Sequence, residues 1–388
     1  MPREAPDCSL GAARLRPAMP GNRASAPRPG TPRVKRLCKA RPPVLLALLP
    51  LCAGSCAAPE LQRFEYEEPH MGTRFRLVLY AADAPAAESA AGAAFARLAE
   101  LDGLLSDYDP ESELSRLSAR SAGGAPPEAI PVGDDLWRVL VRAQELAERS
   151  GGAFDVTVGP YVRLWRRAAR QGALPSPERL ADAAAAVGHA KLALEIEGRR
   201  VRLGAADMRL DLGGIAKGYA LDEMLRVLSG RGVERALVDG GGDVAVSEPP
   251  PGRAGWRLAV PAPTGSGGEA GAGAGPVRLE LARAAVATSG DTSRYAEIDG
   301  VRYSHLVDPA TGLGLVRRIG ATVVAPDGAT ADALASAACV LGPAAGLELV
   351  AGSPGCEARV VWLEGGALRA RATDGFWGFG AYSSSPSK

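Results

Sequence analysis

The chain has little of what several large protein classes depend on. Across 388 residues, 45 basic side chains face 44 acidic ones, a formal charge of +1. No general field exists to gather nucleic acid or an anionic membrane surface, so a negative ligand has to be held by local groups. Cysteine occurs six times, but Cys8, Cys38, Cys52 and Cys56 fall within the first 56 residues. The remaining pair, Cys339 and Cys356, makes neither a disulfide framework nor a zinc pattern. Histidine occurs only three times, and no internal repeat is visible. The 48 glycines and 31 prolines fit a GC-rich coding bias and say little by themselves.

What is present begins with an unusual N-terminus. Residues 1–43 are rich in Pro, Arg and Ala with no apolar period, and "VLLALLPLCAG" follows from Val44 to Gly54. That run is too short to cross a bilayer as a helix and has the length of a signal-peptide core, with "RVKRLCKAR" as its positive flank. "AGSC", Ala53–Cys56, resembles a bacterial lipobox, with Ala53 where leucine is usual. The expectation is export to the periplasmic face of a bacterial membrane, with a lipid anchor on Cys56. The organisation expected is a leader over 1–56, one domain over 57–380 and a short tail over 381–388, with the Gly-rich stretch Pro261–Pro276 as a low-complexity loop.

Beyond the leader, strand and helix patterns mix. "TRFRLVLY" alternates at period two, as a half-buried strand does. "ESAAGAAFARLAELDGLLS", Asp134–Arg149 and "PSPERLADAAAAVG" read as helices, the last begun by Ser176 and Pro177. After Gly188 short apolar runs predominate: a hairpin about Gly198, then strands in "VERALVDGG", "WRLAV", "VRLEL", "AAVATSG", "VRYSHLVD", "ATVVA" and "ARVVWLEGG". Helices are expected over Ile215–Leu228 and Ala331–Leu341. The alternation is too irregular for repeated strand-helix-strand units, which points to an α+β fold with mostly antiparallel sheet.

Four stretches carry possible chemistry. "MRLDLGGIAKGYALDEML" runs from a short strand through Gly213 and Gly214 into a helix. The free amides of a helix N-terminus, with Lys217 one turn in, suit a phosphate; a glycine turn with a solvated lysine is the plainer alternative. The turn fits neither GxGxxG nor GxxxxGK[ST], which disfavours a nicotinamide site and a P-loop. "VRYSHLVDPATG" places His305 before Asp308 and a Pro-turn, as a base or as a hydrogen-bonded core residue. "TSGDTSRY" adds hydroxyls and Arg294, for a phosphate, a ribose or a turn. In "ADALASAACVLG", Asp332 and Ser336 share one helix face, fitting Mg²⁺ or a carboxylate that meets the helix dipole. "GGAFDVTVGPYVRLW" joins Phe154, Asp155 and Thr157, near a flat ring or in the core, and "DGGGDVAV" reads as a tight turn.

In this order, "MGT", "LSDYDPESELSRL", "GGAFDVTVGP", "DLGGIAKGYALD", "DGGGD", "TSGDTSRY", "YSHLVDPATG" and "ADALASAACVLG" resemble the FAD:protein FMN transferase (ApbE) family, from Met71 to about Val350. The resemblance implies a bilobal α+β fold with FAD between the lobes. It implies Mg²⁺-dependent transfer of FMN from FAD to a Thr or Ser hydroxyl of an acceptor redox protein, releasing AMP. Relatives described as FAD pyrophosphatases and a non-catalytic flavin-holding lipoprotein are the alternatives. By matching positions, Met71, Tyr108, Ala153, Phe154 and Asp155 would line a ring of FAD, and Asp211, Lys217 and Val307 would contact the rest. Gly214 and Ala335, through their carbonyls, with Asp332 and Ser336 would hold Mg²⁺, and His305 with Asp332 would be catalytic. Ser336 stands where threonine is usual, keeping the hydroxyl. Ser118 stands where asparagine is common.

Overall fold

The computed structural model describes residues 60–126, 128–261, 269–270, 274–290, 295–380 and 382–383. The leader, Cys56, Arg294, most of Pro261–Pro276 and nearly all of the tail lie outside them.

The central sheet follows from strands whose two faces are both apolar. β1 (Gln62–His70), β2 (Thr73–Ala81), β3 (Ala236–Gly240), β4 (Asp243–Val246), β5 (Ala284–Gly290), β6 (Ile319–Ala325), β7 (Glu357–Glu364) and β8 (Ala367–Ala372) lie side by side in chain order. Each is antiparallel to its neighbour, and Glu269–Ala270 pairs parallel with β8 at the far edge. Alternate residues go to opposite layers. Phe75, Leu77, Leu79, Val238, Ala245, Ala287 and Val323 face a layer of helices, while Val78, Leu237, Val244, Val246, Val286 and Val324 face a second core with Trp256, Val260, Val277 and Leu279. That second core belongs to a small sheet of Trp256–Val260, Val277–Leu281 and Tyr382–Ser383. Strand pairs 192–195/200–203 and 295–298/301–304 form separate hairpins, so the expected mixed, mostly antiparallel α+β fold is present.

Eight α-helices occur among the described residues: α1 (Ala84–Leu105), α2 (Glu113–Ala119), α3 (Asp134–Arg149), α4 (Gly159–Gln171), α5 (Pro177–Ala186), α6 (Ala216–Ser229), α7 (Gly328–Leu341) and α8 (Pro343–Ala351). α3 has the bounds its apolar stripe predicts, and Ser176 caps α5 as expected. Three expectations need correction. α7 begins three residues earlier than its alternation suggested, because the Asp327 side chain accepts from the Thr330 amide at 2.8 Å and caps the helix there. Asp332 therefore lies in the second turn and is not the residue that meets the dipole. The segment before Gly213 is not a strand; it makes one bridge, Arg209 to Val158, and is otherwise held by Leu210 N to Ser118 Oγ at 3.1 Å and Asp211 N to Val156 O at 2.8 Å. The strand containing His305 stops at Ser304, whose hydroxyl accepts from the Leu306 amide at 3.1 Å and bends the chain. The helix α4 was hidden in a stretch read for its aromatic residues; Tyr161, Trp165 and Ala168 are its buried face, and Gly172 ends it in a left-handed conformation.

Two features of this frame decide where a site can form. Helix α7 is buried nearly all round and lies on sheet positions that are small, Ala285, Ala287, Ala321 and Ala358. It also crosses α6 at two glycines: a Cβ on Gly328 would sit 2.5 Å from the Gly218 carbonyl oxygen, and one on Gly218 would collide with the Gly328 carbonyl. Backbone meets backbone there. We expect Gly218→Ala to force the helices apart and cost about 2 kcal/mol or more, read as a lowered denaturation midpoint with unchanged slope.

Candidate functional site

The site grows from the start of α6. Asp211 Oδ1 accepts from the Gly213 amide at 2.8 Å and fixes the turn. Gly214 is a glycine because its neighbours close on it: an added Cβ would lie 3.3 Å from the Phe154 ring and 3.4 Å from Ser336 Oγ. Leu212 O accepts from Ala216, and the ladder continues from Tyr219 N to Ile215 O. Between them the Gly218 amide turns to Asp332 Oδ2 at 3.4 Å, and among the described backbone bonds none ends on the Gly214 carbonyl. That carbonyl is left available at the turn.

Lys217 points from this turn into two carboxylates. Its ammonium donates to Asp243 Oδ2 and lies 3.3 Å from Asp332 Oδ2. The other Asp243 oxygen accepts from Thr288 N at 3.2 Å. Asp243 and Asp332 are both buried, so two carboxylates share one ammonium in a place with little water. Burial pushes the Asp332 carboxyl up to about 6, Lys217 pulling it back and Asp243 pushing it further. The Lys217 ammonium is opposed by burial, but Asp332 and Asp243 outweigh that and raise its pKa, so it stays charged. The arrangement is short of one positive charge. Ser336 Oγ, 3.0 Å from Ser289 Oγ, adds neutral oxygens beside it. A set of hard oxygens around a negative excess suits a divalent cation such as Mg²⁺. The residues expected to hold one therefore fit, with Ala335 the weakest of them because its carbonyl lies inside α7 and is bound into the helical ladder.

A second arm of the site reaches outward. Arg166 of α4 ion-pairs with Asp107 and lies 3.3 Å from Asp211 Oδ2. Its guanidinium covers the Tyr108 ring, 4.1 Å from the centroid. Burial and the neighbouring Asp107 raise the Asp211 pKa, against the Gly213 amide and Arg166. Tyr108, Asp211, Gly213, Gly214, Phe154, Lys217, Asp332 and Ser336 thus form one continuous series of contacts.

The other expected residues are placed differently. Met71 has φ of 47° in the two-residue turn between β1 and β2, and its amide donates to Asp102 Oδ2 at 2.9 Å. Gly241 and Gly242 make the matching turn between β3 and β4, with φ of 77° and 104°, as two-residue hairpin loops of this hand require. A Cβ on Gly241 would collide with Thr73, so the two turns abut, and Asp243 leaves the second of them toward Lys217. Asp155 is turned inward: its Oδ1 accepts from Thr157 N and Thr157 Oγ1, each at 2.7 Å. Those two bonds hold the turn from Asp155 to Thr157. Ala153 lies half-buried in the loop just before it. Val307 packs with Tyr161 and Trp165, and Trp165 Nε1 donates to Gly312 O at 2.6 Å. The loop holding His305 is thereby fastened to α4, with His305 itself exposed.

With this geometry in view, comparison with known proteins is direct. The ApbE family model matches residues 71–360. The chain belongs to the ApbE family. A protein named FAD:protein FMN transferase from Treponema pallidum is 33% identical over 344 residues, covering 84% of this chain and 91% of its own. One of the same name from Vibrio cholerae is 32% identical, covering 78% and 88%. The crystal structure of a flavinyl transferase ApbE from Pseudomonas stutzeri in its apo form superimposes with a TM-score of 0.71 at 31% identity, covering 82% of this chain and 97% of that one. The ApbE protein of Thermotoga maritima gives 0.70 at 30% identity, over 82% and 99%.

In this ApbE-family chain, Asp243, Arg166 and Asp222 escaped the sequence reading. Asp243 had a signal, a lone acid opening the apolar strand "DVAV". Arg166 had none, being one of several arginines on α4. Asp222 Oδ1 accepts from Gly328 N at 2.7 Å and its Oδ2 from Ala329 N at 3.1 Å, so α6 caps the helix that carries Asp332. Burial, then the nearby Asp327 and Glu223, push its carboxyl up to about 7 against those two amides. A folded pKa above the ordinary aspartate value means that the unfolded chain releases this proton first. The contribution is fully present below the unfolded pKa and is lost as pH rises through about 7. Asp222→Asn, which cannot ionise, is expected to lose less stability than the parent between pH 5 and pH 8, measured by denaturant unfolding at each pH.

Proposed function

We propose that the protein transfers FMN from FAD to a threonine or serine hydroxyl of an acceptor redox protein, with Mg²⁺, releasing AMP. One observation carries the reading: a glycine turn at a helix start and a buried Asp332 from a distant segment converge, with Lys217 Nζ 3.3 Å and the Gly218 amide 3.4 Å from the same carboxylate oxygen. Mere flavin storage requires no such charge-deficient cluster.

Asp332, Ser336 and the Gly214 carbonyl, with Ala335 as a lesser partner, would hold the cation. When bound it would neutralise diphosphate charge and polarise a phosphoryl oxygen. The protein's own groups do the rest. With the cation offsetting Asp332 and Asp243, Lys217 at the helix start would add positive charge for the pyrophosphate. The exposed Tyr108 ring offers flat surface for a ring of FAD, Phe154 packs against Gly214, and the exposed His305 is the residue proposed to meet the acceptor hydroxyl. His305 takes that hydroxyl's proton as its oxygen bonds to the FMN phosphorus, and the bond from that phosphorus to the AMP oxygen breaks. Water in place of the acceptor would give free FMN and AMP. Export and lipid anchoring at Cys56 form part of the same proposal and rest on the leader alone.

Incubation with FAD, Mg²⁺ and a candidate acceptor tests this through AMP release and a fluorescent acceptor band on a denaturing gel. Free FMN with an unlabelled acceptor indicates the hydrolase, and unchanged FAD refutes catalysis. Asp332→Ala should slow turnover by roughly 100-fold or more, several kcal/mol of lost stabilisation; full activity in trace Mg²⁺ rules out its role. His305→Ala should lower kcat while the Kd for FAD stays within about twofold of wild type, and the reverse pattern makes it a binding residue.

A further inference from the structure

The reaction assigns no part to Arg166, yet this side chain joins both arms of the site. Tyr108 is 77% exposed, and an exposed aromatic residue on a loop ordinarily samples several rotamers. Here it is held from three sides. Ser106 Oγ accepts from the Tyr108 amide at 3.2 Å, Asp107 immediately before it pairs with Arg166, and the guanidinium carbon lies over the ring, 4.1 Å from its centroid. Arginine alone among the cationic side chains can bond two carboxylates through its fork while keeping a flat face for stacking. Its second carboxylate, Asp211, is the group that fixes the Gly213 amide. As a fold stabiliser a single partly buried pair on a loop contributes modestly. Its consequence is order: one face of the Tyr108 ring is covered, and the ring is left standing at the mouth of the site.

We propose that Arg166 is a positioning residue that holds Tyr108 as a rigid shelf for a flat ring of the dinucleotide and ties that shelf, through Asp211, to the glycine turn. The inference rests on the FAD reading above. Its chemistry is stacking on an aromatic plane, which either the isoalloxazine or the adenine satisfies.

Titrations of FAD, FMN and AMP separately, in Mg²⁺, distinguish these. Arg166→Met should raise the FAD Kd about tenfold while the melting temperature moves by no more than about 3 °C. The loss should appear with one half-ligand only: with FMN if the shelf takes isoalloxazine, with AMP if it takes adenine. Arg166→Lys, which keeps the charge without the plane, should recover only part of it. In Tyr108→Leu the further change Arg166→Met should add less than about twofold, because Arg166 acts through that ring. Equal losses for both half-ligands, multiplying losses in the double variant, or Kd values within about twofold of wild type for every ligand would overturn the proposal. Wild-type protein that binds no FAD removes both readings, and wild-type protein that binds FAD without releasing AMP removes the transfer reading alone.

Discussion

The contact on which the site depends is a crossing of two backbones. Gly218 and Gly328 allow α6 and α7 to approach until each glycine's Cβ position is filled by the other helix's main chain. Because of that approach, a carboxylate one turn along α7 reaches the amides and the lysine at the start of α6. Any side chain at the crossing would move Asp332 outward by a sizeable part of an ångström, enough to break contacts of 3.3 and 3.4 Å. Asp222 fastens the same crossing by accepting from the first two amides of α7. The alanines of α7 and of the sheet positions beneath it serve this geometry too, since larger residues would lift the helix off the sheet.

Burying two carboxylates against one ammonium is costly in a place with little water, and nothing in the fold requires it. Hydrogen bonds lessen the cost: Thr288 N serves Asp243 and Gly218 N serves Asp332. They do not remove the negative excess. Arg97 likewise bonds two carboxylates, Asp135 and Glu223, between α1, α3 and α6, but there a second guanidinium, Arg226, also pairs with Glu223. Where the glycine turn and α7 meet, Lys217 is the one cation paired with both carboxylates among the described residues, and a local charge deficit of this kind is a reason to place a binding position there.

How much of this was legible in the sequence depends on the range of each signal. The α3 stripe and the Ser176 cap are local patterns and were found at their true positions. The start of α7 was misplaced because Asp327 and Asp332 are both plausible caps, and only the contact with Asp222 and Gly218 shows which one ends the helix. The glycine turn and Asp332 were recognisable as pieces, whereas their meeting depends on a crossing of residues 110 positions apart. Asp243 and Arg166 lie further out of reach: their roles are those of counterions, defined by partners on other elements, and neither a lone acid opening an apolar strand nor one arginine among several on α4 shows which partner it meets.

Exposure is graded across the residues assigned to the proposed transfer. Asp332, Asp243 and Phe154 are buried, and the groups around them are fixed by short bonds or close packing. Tyr108 and His305 are exposed. A site for a small substrate alone gains by enclosing every reacting group, because excluding water strengthens each electrostatic contact. In the transfer proposed above, a hydroxyl carried on a folded acceptor could not enter such an enclosure, so the group proposed to receive its proton would have to stand at the surface. Rigidity at that surface must then come from tethers other than burial. Trp165 bonding Gly312 and Arg166 covering Tyr108 are such tethers, and both extend from α4. The helix that the sequence concealed is therefore the support of the open half of the site, as α7 is of the closed half.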